Sequence, residues 1–202
     1  MSKTISSIVT ISDLLKDAGY ETYSNVLKSY IKKSDHRGNY VVGFAGDDLV
    51  GKSTIINLVL GNNVLPANVI PENVKYSIRY GEDDKIVKDS GEKVPLSELE
   101  NMSGEEACIQ LEINSPYLRD GNIELVEFSN LLSFKKINNI SLMTSLYHCD
   151  AAVLVMSAEH LFSETECGFI ENYIKYVGAD HLLLIVNKLS MVNKIEVGNV
   201  IE

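Results

Sequence analysis

The sequence predicts an α/β domain, a doubly wound and mostly parallel sheet with helices on both faces. Three observations carry that prediction. Short apolar runs alternate with stretches of helical spacing along the chain. "GDDLVGKS", Gly46 to Ser53, matches the phosphate-loop pattern G-x-x-x-x-G-K-[S/T] in full and sits between a predicted strand and a predicted helix. The 202 residues are enough for one such domain with a proper core.

The elements follow in chain order. Ile11, Leu14, Leu15, Tyr23, Val26, Leu27, Tyr30 and Ile31 recur at helical spacing, with a break predicted at Gly19. The polar connector "KKSDHRGN" leads to "YVVGFA", a short strand entering the phosphate loop. "STIINLVL" reads as the helix behind the loop, closed by Gly61 at its C-terminus. Pro66 and Pro71 mark an irregular segment, and "KYSIRYG" reads as the next strand. Residues 82–106 are charged and broken by glycines, with one helix placed at "PLSELENM". "ACIQLEI" alternates as a half-buried strand does, and "IELVEF" follows it across a turn at "SPYLRDGN".

A helix over 139–149, the apolar strand "AAVLVMSA", the helix "SETECGFIENYIKYV" and a buried strand "HLLLIV" complete the alternation. Ser163 and Glu166 form a capping-box pair at the start of that second helix. A doubly wound nucleotide domain normally continues past this point, so the chain reads as part of a longer protein. The expected division is an N-terminal helical segment, 1–38, and an incomplete nucleotide-binding domain, 39–202.

Composition narrows the partners. Lys and Arg number 18 against 28 Asp and Glu, a formal net charge of −10, with no basic cluster of the kind that binds phosphate backbones. That argues against nucleic acid, and equally against direct attraction to an anionic membrane surface. No apolar run approaches the roughly 20 residues that span a bilayer, and the N-terminus lacks a signal-peptide core, so the expected location is cytoplasmic. Cys108, Cys149 and Cys167 are widely spaced and read as buried, reduced thiols. His36, His148, His160 and His181 are scattered without ligand spacing.

The chemistry expected of the loop follows from its residue types. Gly46 and Gly51 let backbone N–H groups curl around a β-phosphate where side chains would block approach. The following helix turns its positive end to the same anion. Lys52 reaches the β- and γ-phosphates, and the Ser53 hydroxyl is placed to ligate Mg²⁺. Asp47, Asp48, Leu49, Val50 and Thr54 complete the nucleotide-contacting stretch.

Beyond the loop, the sequence resembles the GTPase domain of the dynamin superfamily, in its bacterial dynamin-like branch. "STIINLVLGNNVLPANVIPENVKYSIRYGED" resembles the family segment that runs from the post-loop helix through two prolines and two threonines to "IRYG". "LEINSPYLRDGNIELVEF" resembles the approach to the family's D-T-P-G motif, and "LYHCDAAVLVMSAEHLFSETE" the apolar strand and helix start beyond it. "LLLIVNK" resembles the strand before the base-reading N/T-K-x-D motif. The resemblance implies GTP or GDP with Mg²⁺ as ligands, Asn187 and Lys188 at the base, and a bundle to which the N-terminal helices contribute. It also implies pairing with another dynamin-like chain across the nucleotide face, and membrane remodelling through regions outside this sequence.

The departures from the family pattern all touch chemistry. Leu49 replaces a loop serine that organises charge near the γ-phosphate, and Asp47 and Asp48 add negative charge beside a polyanion. Glu72 and Asn73 stand where the family has its two threonines. Glu127, Phe128, Ser129 and Asn130 replace D-T-P-G, leaving Asn73 and Glu127 as the candidates for water and Mg²⁺ contacts. Ser190 replaces the Asp that reads guanine, leaving base donors unpaired and weakening the preference for GTP. The expected function is therefore GTP–Mg²⁺ binding with slow or impaired hydrolysis. The competing readings are a pseudo-GTPase partner module that hydrolyses nothing and, on Ser190 alone, an ATP-using phosphate-loop enzyme.

Overall fold

The computed structural model describes residues 3–21, 24, 38–66, 75–88, 90–101, 108–128, 131, 145, 146 and 148–191. An eight-stranded sheet runs through it in the order β4-β3-β5-β2-β6-β1-β7-β8. The strands are β1 (Tyr40–Ala45), β2 (Lys75–Tyr80), β3 (Lys85–Val87), β4 (Lys93–Pro95), β5 (Cys108–Ile113), β6 (Ile123–Glu127), β7 (Ala151–Ser157) and β8 (Leu182–Asn187). The helices are α1 (Lys3–Asp17), α2 (Lys52–Leu60), α3 (Pro116–Gly121) and α4 (Glu164–Tyr176).

The strand that enters the phosphate loop lies centrally. β1 pairs in parallel with β6 on one side and β7 on the other, and β7 pairs in parallel with β8. Four carboxyl ends therefore open toward one rim of the sheet, the place where α/β sheets bind ligands. Beyond β6 the sheet reverses: β2 runs antiparallel to β6, and β5 runs parallel to β2. The sheet is thus mixed, and its most parallel part is the part that carries the loop.

Burial follows from the alternation. β5 alternates half-buried and buried residues along its length, while β7 is buried from Ala152 to Ser157. One core, with Phe44, Ile56, Ile78, Leu111 and Val155, lies under α2. The other, with Val126, Phe128, Leu154, Phe169 and Tyr173, lies under α4. Helices thus cover both faces.

Several local expectations hold for the reasons given. Gly19 takes a left-handed conformation just after α1. Gly61 closes α2 in the same conformation, with its backbone reaching back toward the last turn. At α4, Ser163 Oγ accepts from the Glu166 N–H at 3.2 Å, and Glu166 Oε2 accepts from the Ser163 N–H at 2.8 Å.

Others are corrected. The charged stretch after β2 forms the hairpin β3–β4, and "PLSELENM" contributes a 3₁₀ turn over Leu96–Asn101 in place of an α-helix. Those strands have three residues each and bury only the middle one, too short a run for alternation to stand out in the sequence. "SPYLRDGN" holds the helix α3, with Pro116 at its first position and Asn122 in the left-handed conformation at its end. β8 is an edge strand in place of a buried one, with Leu183 and Leu184 exposed. Of the cysteines, Cys149 is buried, while Cys108 and Cys167 are half-buried. Pro71, Glu72, Asn73, Ser129, Asn130 and most of the 139–149 helix lie outside the described residues.

Candidate functional site

The phosphate loop leaves the carboxyl end of β1 and enters α2 at Lys52. Its two glycines are fixed by conformation and by space. Gly46 has φ 153°, and a Cβ there would run into the Val155 carbonyl oxygen. Gly51 has φ 100°, and a Cβ there would run into the Asn187 side-chain amide. Each is thus backed against a neighbouring strand end, Gly46 against β7 and Gly51 against β8, where no side chain fits.

The side chains divide by burial. Val50 packs into the core beneath α2, whereas Leu49 is 73% exposed. Asp48 and Thr54 are exposed and Asp47 is half-buried. Lys52 is buried, and its Nζ donates to the carbonyls of Gly46 at 3.0 Å and Asp47 at 2.8 Å. The ammonium is thereby held inside the loop it would share with a phosphate. Burial lowers its pKa, against the opposing pull of Glu127, Asp48 and Asp47.

Ser53 and Glu127 come together from α2 and the end of β6. The Ser53 hydroxyl donates to Glu127 Oε1 at 2.8 Å, with both residues buried. Glu127 Oε2 is buried and has no hydrogen-bond partner among the described residues. Burial pushes the Glu127 carboxyl up to about 7, although the Ser53 bond and the Lys52 charge pull it down. A buried carboxylate oxygen without a partner, beside a hydroxyl, is the hard-oxygen donor set that Mg²⁺ takes. The two residues offer oxygens of the type Mg²⁺ takes, and among the described residues no group of three or more His, Cys, Asp or Glu gathers around them.

Asn187 and Lys188, expected at a base, stand at the end of β8 beside β7. The register of the two strands pairs Ser157 with Asn187, and the Ala158 N–H donates to the Asn187 carbonyl at 2.8 Å. Asn187 Nδ2 donates to the Val50 carbonyl at 2.9 Å, tying the end of β8 to the phosphate loop. Lys188 adopts φ 63°, and its Nζ lies 4.0 Å from Glu159 Oε2. Ser190 lies exposed in a 3₁₀ turn, Leu189–Met191.

Gly46, Val50, Gly51, Lys52, Ser53, Glu127 and Asn187 are thus drawn into one constellation, and Lys188 adjoins it. Leu49, Asp48 and Thr54 line its outer rim. Sequence reading missed the Asn187 clamp on Val50 and the carboxylate of Glu159 beside Lys188. The signal for Glu159 was its place two residues past Ser157, at a strand end that the sheet sets against Asn187.

No protein-family model matches the chain. It is 25% identical over 210 residues to the "uncharacterized protein in xynA 3′ region" of Caldicellulosiruptor sp. (strain Rt8B.4), a match covering 96% of this chain and 52% of that protein. Among solved structures, an oligomerised bacterial dynamin pair, described as a mechanism for long-range sensing and tethering of membranes, matches with a TM-score of 0.60. That match has 18% identity and covers 95% of this chain and 33% of the other. A second structure of an oligomerised bacterial dynamin pair matches with a TM-score of 0.58 and 17% identity, over 98% of this chain and 34% of the other. The fold is therefore of the α/β phosphate-loop class, and it is shared with part of those bacterial dynamin structures. The chain spans about half the length of the curated relative and about a third of the solved chains. Among the described residues, no helix is long and apolar enough to cross a membrane.

Proposed function

We propose that this chain is the guanine-nucleotide-binding domain of a dynamin-like protein, holding GTP with Mg²⁺ and hydrolysing it slowly. The observation that carries the reading is the junction of phosphate loop and β6. Two glycines seat the loop where no side chain fits, Lys52 bonds to the loop's own carbonyls, and Ser53 meets a buried carboxylate with one oxygen unpartnered among the described residues. In this reading the backbone of Gly46 to Ser53 binds the β-phosphate, and Lys52 turns from its two carbonyls to the β- and γ-phosphates. Ser53 and Glu127 hold Mg²⁺, which when bound neutralises charge on the phosphates. Asn187 keeps the loop's rear wall in place, and Lys188 packs at the base.

Slow turnover is proposed from residue chemistry. Leu49 brings no polar group to the γ-phosphate side of the loop, and Asn130 replaces a glycine whose N–H meets that phosphate in the resembled family. The division into an N-terminal helical segment, 1–38, and a nucleotide domain, 39–202, belongs to the same proposal. So do cytoplasmic residence, pairing with a second dynamin-like chain across the nucleotide face, and membrane contact through regions outside this sequence.

A second reading is a pseudo-GTPase that binds nucleotide, or only partners, without turnover. The engagement of Lys52 by the loop's own carbonyls favours it, since a ligand must displace both bonds. Calorimetric titration with GTP and with ATP in Mg²⁺, repeated on Lys52→Ala, tests the first reading. Micromolar GTP binding that the substitution abolishes supports it, and absence of heat with both nucleotides overturns it. Single-turnover hydrolysis of bound GTP then separates the two readings.

A further inference from the structure

Phe128 and Leu131 bracket Ser129 and Asn130, where the sequence departs from D-T-P-G, and both bracketing residues are tied down. GTPases commonly switch by ordering a segment on the γ-phosphate and releasing it on hydrolysis. We infer that the segment leaving β6 is instead a fixed part of this domain, pinned at Phe128 and Leu131, and that these pins hold alike with GTP, with GDP and with neither. This inference rests on the nucleotide-binding reading above.

The pins are of two kinds. The Phe128 N–H donates to the Phe44 carbonyl at 2.9 Å, carrying the β1–β6 ladder one residue beyond Glu127. The Leu131 N–H donates at 3.4 Å to the carbonyl of Gly46, the first residue of the phosphate loop. Both side chains are fully buried, in the core with Leu146, Cys149 and Leu154. The Phe128 ring uses the space that Gly43 leaves in β1, where a Cβ would come within 3.0 Å of it. From β2, Lys75 Nζ lies 5.5 Å from the centre of the same ring. Moving this segment breaks two backbone hydrogen bonds and carries two large apolar side chains toward water.

A nucleotide has little leverage on such pins. Their partners are groups of β1, β2, the phosphate loop and the core, so the hold is made by the protein itself. The Gly46 carbonyl also accepts from Lys52 Nζ at 3.0 Å, and its two lone pairs serve both donors. When Lys52 turns to a phosphate, as the reading above requires, the Leu131 bond stays in place. A ligand shifts a conformational equilibrium only as far as it binds two conformations differently. With Phe128 and Leu131 held by the core, the γ-phosphate has no released state to recruit. The domain then carries nucleotide without converting the γ-phosphate into movement of this segment.

The test is amide hydrogen exchange on the full 202-residue chain, alone and with saturating GDP or GTPγS in Mg²⁺, followed in peptides covering the phosphate loop and residues 126–131. The expected result is protection of the loop by both nucleotides, with slow exchange over 126–131 that agrees within about twofold among the three states. Leu131→Ala, checked for folding by thermal melts, should speed exchange over 126–131 by at least about tenfold. Loop protection with exchange over 126–131 that differs between GDP and GTPγS overturns the inference and leaves the nucleotide-binding reading intact. So does fast exchange there in the chain alone, or exchange that Leu131→Ala leaves unchanged. A loop that neither nucleotide protects overturns both.

Discussion

The Ser53 hydroxyl donates to Glu127 Oε1 across 2.8 Å, joining the first turn of α2 to the end of β6 inside the protein. The bond satisfies one carboxylate oxygen and leaves the other buried without a partner among the described residues. Such a group is costly when ionised, which sets the first prediction. With its pKa raised from 4.5 to about 7, Glu127 binds its proton more tightly in the folded chain than in the unfolded one. Its contribution favours the fold below the unfolded value and is lost as pH rises through about 7. The span corresponds to roughly 3 kcal/mol. Glu127→Gln retains an acceptor for Ser53 and carries no charge, so its stability should fall less than the parent's between pH 4.5 and 8, as read by urea unfolding at several pH values. Superimposable pH profiles for parent and variant would contradict the assignment.

Gly51 carries the second prediction. Its φ of 100° disfavours any side chain, and a Cβ there meets the Asn187 amide that donates to Val50. Gly51→Ala should therefore cost about 2 kcal/mol from backbone strain and the displaced hydrogen bond together. GTP affinity should fall further than that of Asn187→Ala, which removes the clamp but leaves the backbone unstrained. Equal affinities for the two variants would show that the glycine's conformation is immaterial to the cradle.

How much of this was legible in the sequence depends on the range of the interaction. The loop, the helix behind it and the Ser163–Glu166 cap are local patterns, and each stands where its residues placed it. β5 and β7 were legible because alternation and unbroken apolarity report burial directly. The β3–β4 hairpin was not, since three-residue strands carry too little periodicity. The apolarity of "HLLLIV" predicts burial, but among the described residues the strand lies at the sheet edge, and position in a sheet is not written in a strand's own composition. Ser53 and Glu127 were named separately from the sequence, and their contact depends on the β1–β6 pairing. The Asn187 clamp and the Glu159 turn depend on the β7–β8 register, which becomes visible only once the sheet is assembled.

Leu49 supplies the third prediction. It holds φ 59°, a left-handed conformation that costs a leucine about 1 kcal/mol or more, while its side chain is 73% exposed and contributes little packing. Leu49→Gly removes that strain but adds freedom to the unfolded chain. The net expectation is a stabilisation of about 0.5 kcal/mol, seen as a small rise in melting temperature. A fall would mean that the exposed side chain is packed in solution.

The two edges of the sheet lead to the last prediction. β4 presents Lys93 and Pro95, the charge and the missing N–H that blunt pairing with another chain. β8, at the other edge among the described residues, carries neither charge nor proline: its sequence is LLLIVN, and Leu183 and Leu184 are 58% and 42% exposed. An apolar edge with unpaired backbone groups is a template for strand addition. The isolated 202-residue chain should therefore self-associate with rising concentration in sedimentation velocity. Leu183→Lys should shift it toward monomer, because a charge on the exposed side of the strand opposes stacking against a second copy. Lys93→Leu, at the protected edge, should increase association if edge chemistry governs it. Association indifferent to both substitutions would move the cause away from the sheet edges.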